Sequence, residues 1–172
     1  MFAVHGPVPP PEDELLAGVH LGRARTLYQD PSFGLRQLVD VAIQALSPAL
    51  NQPTTAGQVV DRLEDILLRV AHRPEPTGLF TDGPGVVRLV QRVPTFAGLL
   101  ELAFTEITAD GASSPQVARR LLAAYDDLGP AVHERLRPSI EQRRPATLAS
   151  IQKVAVEGIR SLAQRPDRTG LG

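Results

Sequence analysis

The chain has 172 residues, which is long enough for one domain with its own hydrophobic core. Its apolar fraction of 42% and charged fraction of 22% are typical of a soluble globular protein. The net charge of −1 gives no reason to expect nucleic acid as a partner, and the absence of cysteine excludes disulfides, thiolate catalysis and cysteine-based zinc sites. No apolar run approaches the roughly 20 residues that a membrane-spanning helix requires, so we expect the chain as given to be soluble.

The two ends of the chain differ in composition from its middle. Residues 1–11 are rich in proline and are predicted to be a linker or a frayed end. Residues 166–172 are predicted to be a frayed tail. Residues 12–165 are predicted to form a single helical domain, and its first helix is expected over residues 12–30.

The stretch FGLRQLVDVAIQALS, residues 33–47, is the most informative helical segment. At about 100° per residue, its apolar side chains cover more than half of the helix circumference. An arc this wide predicts a central, largely buried helix, whose polar strip is either enclosed or lines a groove. The strip consists of Arg36, Gln37, Asp40 and Gln44.

The remaining segments predict a mainly α fold. Residues 55–72 form an amphipathic helix whose Asp61, Glu64 and Asp65 are expected on a solvated face. Asp-Gly-Pro-Gly then predicts a small β-hairpin at about 79–92, which is too small to be stable alone and is expected to lean on helices. Further helices are predicted at 95–108, 114–128 and 145–164, with a short helical piece at 130–137. The expected fold is therefore a helical bundle of about five to six helices with one small β-hairpin.

The connection ALSPALNQPTTA, residues 45–56, has two interpretations. In the favoured one, Pro48 ends a helix, Asn51 closes a turn, and Thr55 with Gln58 forms a capping box for the next helix. In the alternative, free N–H groups at the start of that helix hold an anion. The side chains of this possible anion-binding loop are those of Ser47, Asn51, Thr54 and Thr55.

The polar strip also has two interpretations. Arg36 and Asp40 are spaced i, i+4 and could form a structural salt bridge. Alternatively, Arg36, Gln37, Asp40 and Gln44 bind a small polar ligand. The four histidines show no metal-ligand spacing, so no metal site, no catalytic residue and no cofactor is predicted.

Residues 22–63 resemble a bacterial family of predicted membrane proteins catalogued as domain-of-unknown-function family 2254. The family pattern is an Arg-Thr, then QDxxFGxRQLVDIAxRALSPxxNDPxTA, then Asp-x-Leu. This chain departs from it at two polar positions, with Gln44 in place of Arg and Gln52 in place of Asp. The matching positions are Arg25, Thr26, Gln29, Asp30, Phe33, Gly34, Arg36, Gln37, Asp40, Ala45, Ser47, Pro48, Asn51, Pro53, Thr55, Ala56 and Asp61.

The resemblance implies a C-terminal soluble domain, either cut from a membrane protein or encoded alone. In full-length relatives the transmembrane segments lie upstream, and the domain is expected on the cytoplasmic side. It implies no activity. We therefore expect a non-catalytic regulatory module that binds a small polar ligand or a protein partner. The alternatives are an enzyme that uses Arg36 and Asp40, and a structural domain that forms homo-oligomers.

Overall fold

A computed structural model gives the fold and describes residues 2–4, 6, 11–17, 22–24, 26, 30–154 and 164–168. The described residues form three short strands, six α-helices and one 3-10 turn, so the mainly α prediction is confirmed. The helices are α1 (Glu12–Ala17), α2 (Pro31–Leu46), α3 (Pro53–Ala71), α4 (Phe96–Gly111), α5 (Pro115–Ala131) and α6 (Arg137–Val154), with the 3-10 turn at Glu134–Leu136.

Helices α2 to α6 pack around one main hydrophobic core, and a second, smaller cluster consists of Ala112, Ala118, Leu122 and Ile151. In α3, Val59, Val60, Leu63 and Leu67 recur at helical spacing and are buried, because this apolar stripe faces α2, α4 and α5. Burying side chains of this size contributes about 1.5–3 kcal/mol each to folding. Helix α4 packs its apolar face against α2 and α3.

The helix with the most buried residues is α5, and not α2, which was predicted to be largely buried. Nine residues of α5 are buried, since α3, α4 and α6 all pack against it. In α2 only Leu35, Val39, Ala42 and Ala45 are buried, and Val41 on the outer side is 47% exposed. The broad apolar arc of α2 therefore extends past its contacts with α3 and α4 into solvent, and its polar strip is not enclosed.

Two helix predictions need correction. Residues 22–24 and 26 are not helical, so a single helix over 12–30 is wrong, and other residues of 18–29 lie outside the described part. The last helix begins at Arg137, eight residues before the predicted start at Pro145. Pro145 thus lies inside α6, where a proline removes one backbone hydrogen bond but does not end the helix.

A three-stranded antiparallel sheet has the strand order β1 (Phe2–Val4), β3 (Val87–Gln91), β2 (Leu79–Thr81), and only β2 and β3 lie between α3 and α4 in the sequence. The predicted hairpin is confirmed as β2 and β3. Gly85 allows its turn through a positive φ of 88°, and its N–H donates to the Asp82 carbonyl at 2.9 Å. At Gly78, a Cβ would lie 2.1 Å from the Gln91 carbonyl oxygen, so only glycine fits there.

The hairpin is stabilised by pairing with a third strand, and not by packing against helices as predicted. Strand β1, which was not predicted, pairs with β3 from Phe2 opposite Gln91 to Val4 opposite Leu89. The described parts of the sheet make few contacts with the helices. Phe80 and Val86 are consequently about half exposed, at 51% and 50%.

Residues 164–168 contact α5 beyond the predicted domain end at 165. The Asp167 N–H donates to the Arg119 carbonyl at 3.2 Å, and Arg119 pairs with the Asp167 carboxylate at 3.4 Å. Arg168 pairs with Asp127 at 2.6 Å. These contacts hold residues 164–168 along the outer side of α5.

Candidate functional site

The predicted polar strip of α2 lies on the surface. Gln37, Asp40 and Gln44 are exposed, and the Arg36 side chain is 36% exposed. Arg36 does not pair with Asp40; its Nη1 lies 2.5 Å from Oε1 of Glu106 on α4. The structural salt bridge therefore connects two helices, and the ligand-binding interpretation of the strip stays a prediction.

The connection between α2 and α3 is closed by backbone hydrogen bonds. The Ser47 carbonyl accepts from the N–H groups of Leu50 at 3.1 Å and Asn51 at 2.9 Å, and the Gln52 N–H donates to Ala45 at 2.7 Å. Asn51 adopts a left-handed φ of 44°, which asparagine tolerates better than most residues. These bonds support the helix-connection interpretation.

The predicted capping box in this connection is wrong. Helix α3 begins at Pro53, so Thr55 lies inside its first turn and cannot be the N-cap. Thr55 donates instead to the Gln52 side chain at 3.4 Å, and Thr54 accepts from Gln116 of α5 at 3.3 Å. Gln52, the actual N-cap, makes no capping hydrogen bond with its side chain. The anion-binding interpretation of Ser47, Asn51, Thr54 and Thr55 stays a prediction.

A buried ionic cluster joins α3 to α5. Arg120 is 6% exposed, and its Nε donates to Asp61 while its Nη2 donates to Glu64. Glu64 is 7% exposed, so the prediction that it lies on a solvated face is wrong, whereas Asp65 is exposed and pairs with Arg62 as expected of such a face. One arginine pairs with two carboxylates, which is how a buried charge is usually accommodated, although Nη1 of Arg120 is buried without a hydrogen-bond partner.

The charges of this cluster act on each other in opposite directions. Burial raises the pKa of Glu64, and the hydrogen bond and charge of Arg120 only partly offset this effect. Burial lowers the pKa of Arg120, but hydrogen bonds to Asp61 and Glu64 outweigh it and raise that pKa above its usual value. The guanidinium of Arg120 therefore stays charged, whereas burial makes ionisation of the Glu64 carboxyl less favourable. This is the energetic pattern of a structural ion pair.

A second polar group of side chains lies where α3 and α5 end. His72 and Arg73 follow α3, and His133 and Arg135 follow α5; all four line one groove. Helix carboxyl ends carry partial negative charge, which favours nearby cations. The carboxyl ends of the two helices therefore favour basic side chains at this groove. Among the described residues, no group of three or more side chains is arranged to hold a metal ion.

A third polar region is a cavity of about 250 Å³ between α4, α5 and α6, which we call the hydroxyl cavity. Five of the described residues that line it carry a hydroxyl group and one carries a guanidinium. Its floor is buried and its rim reaches solvent. The lining residues are Thr105, Thr108 and Ala109 of α4, Tyr125 of α5, and Arg143, Ala146, Thr147 and Ser150 of α6.

The floor of the hydroxyl cavity is built by core packing. The ring of Tyr125 packs edge-on against Phe104, with centroids 5.3 Å apart and planes at 71°. This contact directs the phenol toward α6, where Thr147 donates to it at 3.3 Å. Tyr125, Thr147 and Thr108 are 3%, 4% and 7% exposed, so three hydroxyl groups are held below the surface.

Hydrogen bonding in the cavity is incomplete. Thr108 Oγ1 is buried and has no hydrogen-bond partner. Ser150 donates to the Ala146 carbonyl of its own helix at 3.1 Å. At the rim, Arg143 donates to Thr105 at 3.3 Å and pairs with Glu101 at 2.8 Å. A buried hydroxyl without a partner costs about 1–3 kcal/mol, and Thr108 is such a group among the residues that line the cavity.

The protonation state of Tyr125 determines what the cavity can offer. Burial raises the pKa of Tyr125, and the Thr147 hydrogen bond and the charge of Arg143 lower it only in part. The phenol is therefore protonated at neutral pH and acts as a hydrogen-bond donor. No carboxylate or imidazole is present among the described lining residues, so the cavity is equipped to bind and orient a molecule and lacks an evident general base.

Comparison with known proteins places the chain in a family. The profile of a family described as predicted membrane protein, DUF2254, matches residues 1–127. The chain belongs to this family. The match covers α2, α3 and the ionic cluster, and it extends into α5 as far as the Tyr125 floor of the hydroxyl cavity.

The curated relatives of the chain are longer proteins described as uncharacterized. Uncharacterized proteins of Mycobacterium bovis and of Mycobacterium tuberculosis strains CDC 1551 and H37Rv are 38% identical to the chain over 153 residues. That region is 89% of this chain and 28% of each relative, so the chain spans less than a third of their length. No solved structure matches the chain. Within the described residues, no helix combines the length and apolar character that crossing a bilayer requires.

The sequence contained one signal for the hydroxyl cavity that was missed. Arg143, Thr147 and Ser150 follow the i, i+4, i+7 spacing of one helix face. The predicted helix began at residue 145 and so separated Arg143 from the two hydroxyl residues. The partners on α4 and α5 are isolated polar positions on otherwise apolar faces, and only the packing of three helices brings them together.

Proposed function

We propose that this DUF2254 domain is a non-catalytic module that binds a small polar ligand in the hydroxyl cavity. The observation that carries the proposal is Thr108, a buried hydroxyl without a hydrogen-bond partner at the floor of a polar cavity that opens to solvent. Buried polar groups in folded proteins nearly always have a partner, and exceptions cluster at sites where a ligand or ordered water completes the bonding.

The chemistry of the lining favours binding over catalysis. Hydroxyl groups of threonine and serine are weak nucleophiles unless a base activates them. The described lining supplies no such base, and Tyr125 keeps its proton at neutral pH because its pKa is raised. The same groups are suited to recognition, since each hydroxyl can donate or accept a hydrogen bond.

The position of the cavity suggests how binding could have a regulatory effect. Its walls come from three helices, so a ligand that bonds to Thr108, Tyr125 and Thr147 would join α4, α5 and α6. A ligand that binds the packed arrangement stabilises it by mass action. In a longer relative, this change in stability could be transmitted to the rest of the protein, which is the regulatory role that we propose.

A ligand screen tests the proposal. Thermal unfolding is followed with a panel of small polar compounds for the wild type, for T108V and T147V, and for the control T81V, which makes the same change on the exposed strand β2. We expect a compound that raises Tm of the wild type and of T81V and has a weaker effect on both cavity variants. A panel that stabilises none of these proteins, or all four equally, would contradict the proposal.

The same screen examines the sites predicted from sequence. Arg36→Ala tests the α2 strip and Asn51→Ala tests the α2–α3 connection, both of which lie outside the hydroxyl cavity. A compound whose stabilisation is lost in Arg36→Ala and retained in T108V would move the binding site to the strip. Loss in Asn51→Ala alone would move it to the connection.

A further inference from the structure

We infer that the ligand of the hydroxyl cavity is a small oxyanion, a molecule whose carboxylate or phosphate group is held by the floor hydroxyls and by Arg143. This inference rests on the proposed function and adds the charge and size of the ligand. It follows from three features of the described lining: its charge, its free donors and its volume.

The charge of the lining is positive. Arg143 is the single charged group among the described lining residues, and the others carry hydroxyl or methyl groups. Its side chain is 29% exposed, so it stands between the solvent and the floor. A guanidinium has five N–H donors in a planar fork that matches the oxygens of carboxylate and phosphate. Two of its nitrogens already contact Thr105 and Glu101, which leaves further N–H groups for a ligand.

Three of the five lining hydroxyls keep a proton for a ligand, whereas Thr147 and Ser150 already donate to Tyr125 and to the Ala146 carbonyl. Tyr125 accepts from Thr147, so the phenol proton remains available. Thr105 accepts from Arg143 and likewise keeps its own proton for another partner. Thr108 has no partner at all. An oxyanion accepts several hydrogen bonds and donates none, so it satisfies these groups together, and bonds to a charged acceptor are the stronger kind.

The volume limits the size of the ligand. A cavity of about 250 Å³ lies below the range of roughly 300–1,000 Å³ that accommodates drug-sized molecules. At about 30 Å³ per water, it corresponds to roughly eight water molecules. The ligand is therefore a small ion such as phosphate or a short carboxylic acid and not a nucleotide.

A rim carboxylate opposes anion binding. Glu101 pairs with Arg143 at 2.8 Å and is 62% exposed. A bound oxyanion must share the guanidinium with this carboxylate or displace it. Removing the charge of Glu101 should therefore strengthen anion binding, whereas removing the charge of Arg143 should weaken it.

Titration of the whole chain with matched probes tests the inference. Binding of inorganic phosphate, acetate, propionate and butyrate is measured by NMR, with acetamide, propionamide and butyramide as neutral probes of the same shape. We expect at least one anion to shift the signals of Thr108, Tyr125 and Thr147, and its amide to bind at least about tenfold more weakly, as expected when a charged hydrogen bond is lost.

Three variants locate the effect. Arg143→Gln should weaken binding of that anion at least about tenfold, and Glu101→Gln should strengthen it about two- to fivefold, the range of an exposed charge interaction. The control Arg62→Gln also removes an arginine from an ion pair, with Asp65, but outside the cavity, and should leave binding unchanged.

Each outcome has a distinct meaning. An amide that binds the cavity as well as its acid overturns the oxyanion assignment and leaves the proposed ligand-binding function standing. An anion whose binding survives Arg143→Gln also overturns the assignment. Binding of phosphatidylglycerol vesicles without any free anion would assign the site to a lipid headgroup and overturn the small-ion inference. If no charged or neutral probe binds the cavity, the proposed function fails as well.

Discussion

Helix α5 carries two polar regions that are built in opposite ways. Arg120 faces α3 in the ionic cluster, and Tyr125 faces α4 and α6 in the hydroxyl cavity. Five positions separate them, which is about 140° around a helix at ~100° per residue. In the cluster one cation pairs with two carboxylates in close contact. In the cavity neutral hydroxyls surround open space and one of them has no partner.

The difference separates polar groups that support the fold from polar groups that are available to a ligand. A buried charge is tolerated when it is paired, as Arg120 is by Asp61 and Glu64, even though its buried Nη1 has no hydrogen-bond partner. A site for an external molecule must also have open volume beside the unpartnered group, as the hydroxyl cavity does. By this criterion the cluster is structural and the cavity is the functional candidate, even though the cluster contains the more reactive groups.

The largest expected effect comes from breaking the cluster. Arg120→Met keeps a long apolar side chain but leaves Glu64 buried without its cation, so we expect a loss of about 3 kcal/mol in the free energy of unfolding. Chemical denaturation measures it. The double variant Arg120→Met with Glu64→Leu replaces the buried pair by apolar groups and should recover most of the loss.

Two outcomes would contradict this view of the cluster. If Arg120→Met is as stable as the wild type, the ion pair does not contribute to folding. If the double variant remains as unstable as the single one, the loss does not arise from an uncompensated charge on Glu64. Either result would also weaken the contrast with the hydroxyl cavity.

A smaller effect, with opposite signs at two neighbouring hydroxyls, is expected in the cavity. Thr147→Val removes a donor to Tyr125 and should lower the free energy of unfolding by about 1 kcal/mol. Thr108→Val removes a buried hydroxyl that has no partner and should raise it by up to about 1 kcal/mol. Valine and threonine have similar shapes and helix propensities, so the comparison isolates the hydroxyl.

Denaturation of the ligand-free protein checks this pair of substitutions. A loss of stability in both variants would show that Thr108 has a partner in solution, such as an ordered water, and would remove the observation on which the proposed function rests. If Thr108→Val raises the free energy of unfolding and also weakens ligand binding, then Thr108 is retained for binding at the expense of stability.

Much of the fold was predictable because periodicity reports local structure. The apolar stripe of α3 and the Asp-Gly-Pro-Gly turn of the hairpin each lie within a few consecutive residues. Strand β1 was missed because it is three residues long, lies in a proline-rich stretch and pairs with residues more than eighty positions away. The extensive burial of α5 was missed because the width of the apolar arc on a helix does not show how many neighbouring helices cover it.

The candidate site was less predictable, since its residues come from three helices. The sequence directed attention to α2, where polar residues interrupt an apolar pattern, yet that strip is at the surface. Glu64 was assigned to a solvated face because Arg120, its partner, is 56 positions away. Which polar residues are buried depends on tertiary packing, and spacing along one helix cannot show it.

The smallest expected effect concerns the α2 strip, where sequence and structure name different partners for Arg36. The Arg36–Glu106 pair is 36% and 48% exposed, so a double-mutant cycle with alanine should give a coupling of about 0.2–1 kcal/mol. The matched cycle of Arg36 with Asp40, its i, i+4 neighbour, should give a smaller value. In 1 M salt, where the screening length is about 3 Å, the Glu106 coupling should decrease. A larger coupling energy to Asp40 than to Glu106 would show that Arg36 pairs within α2. Glu106 would then be free to face a ligand.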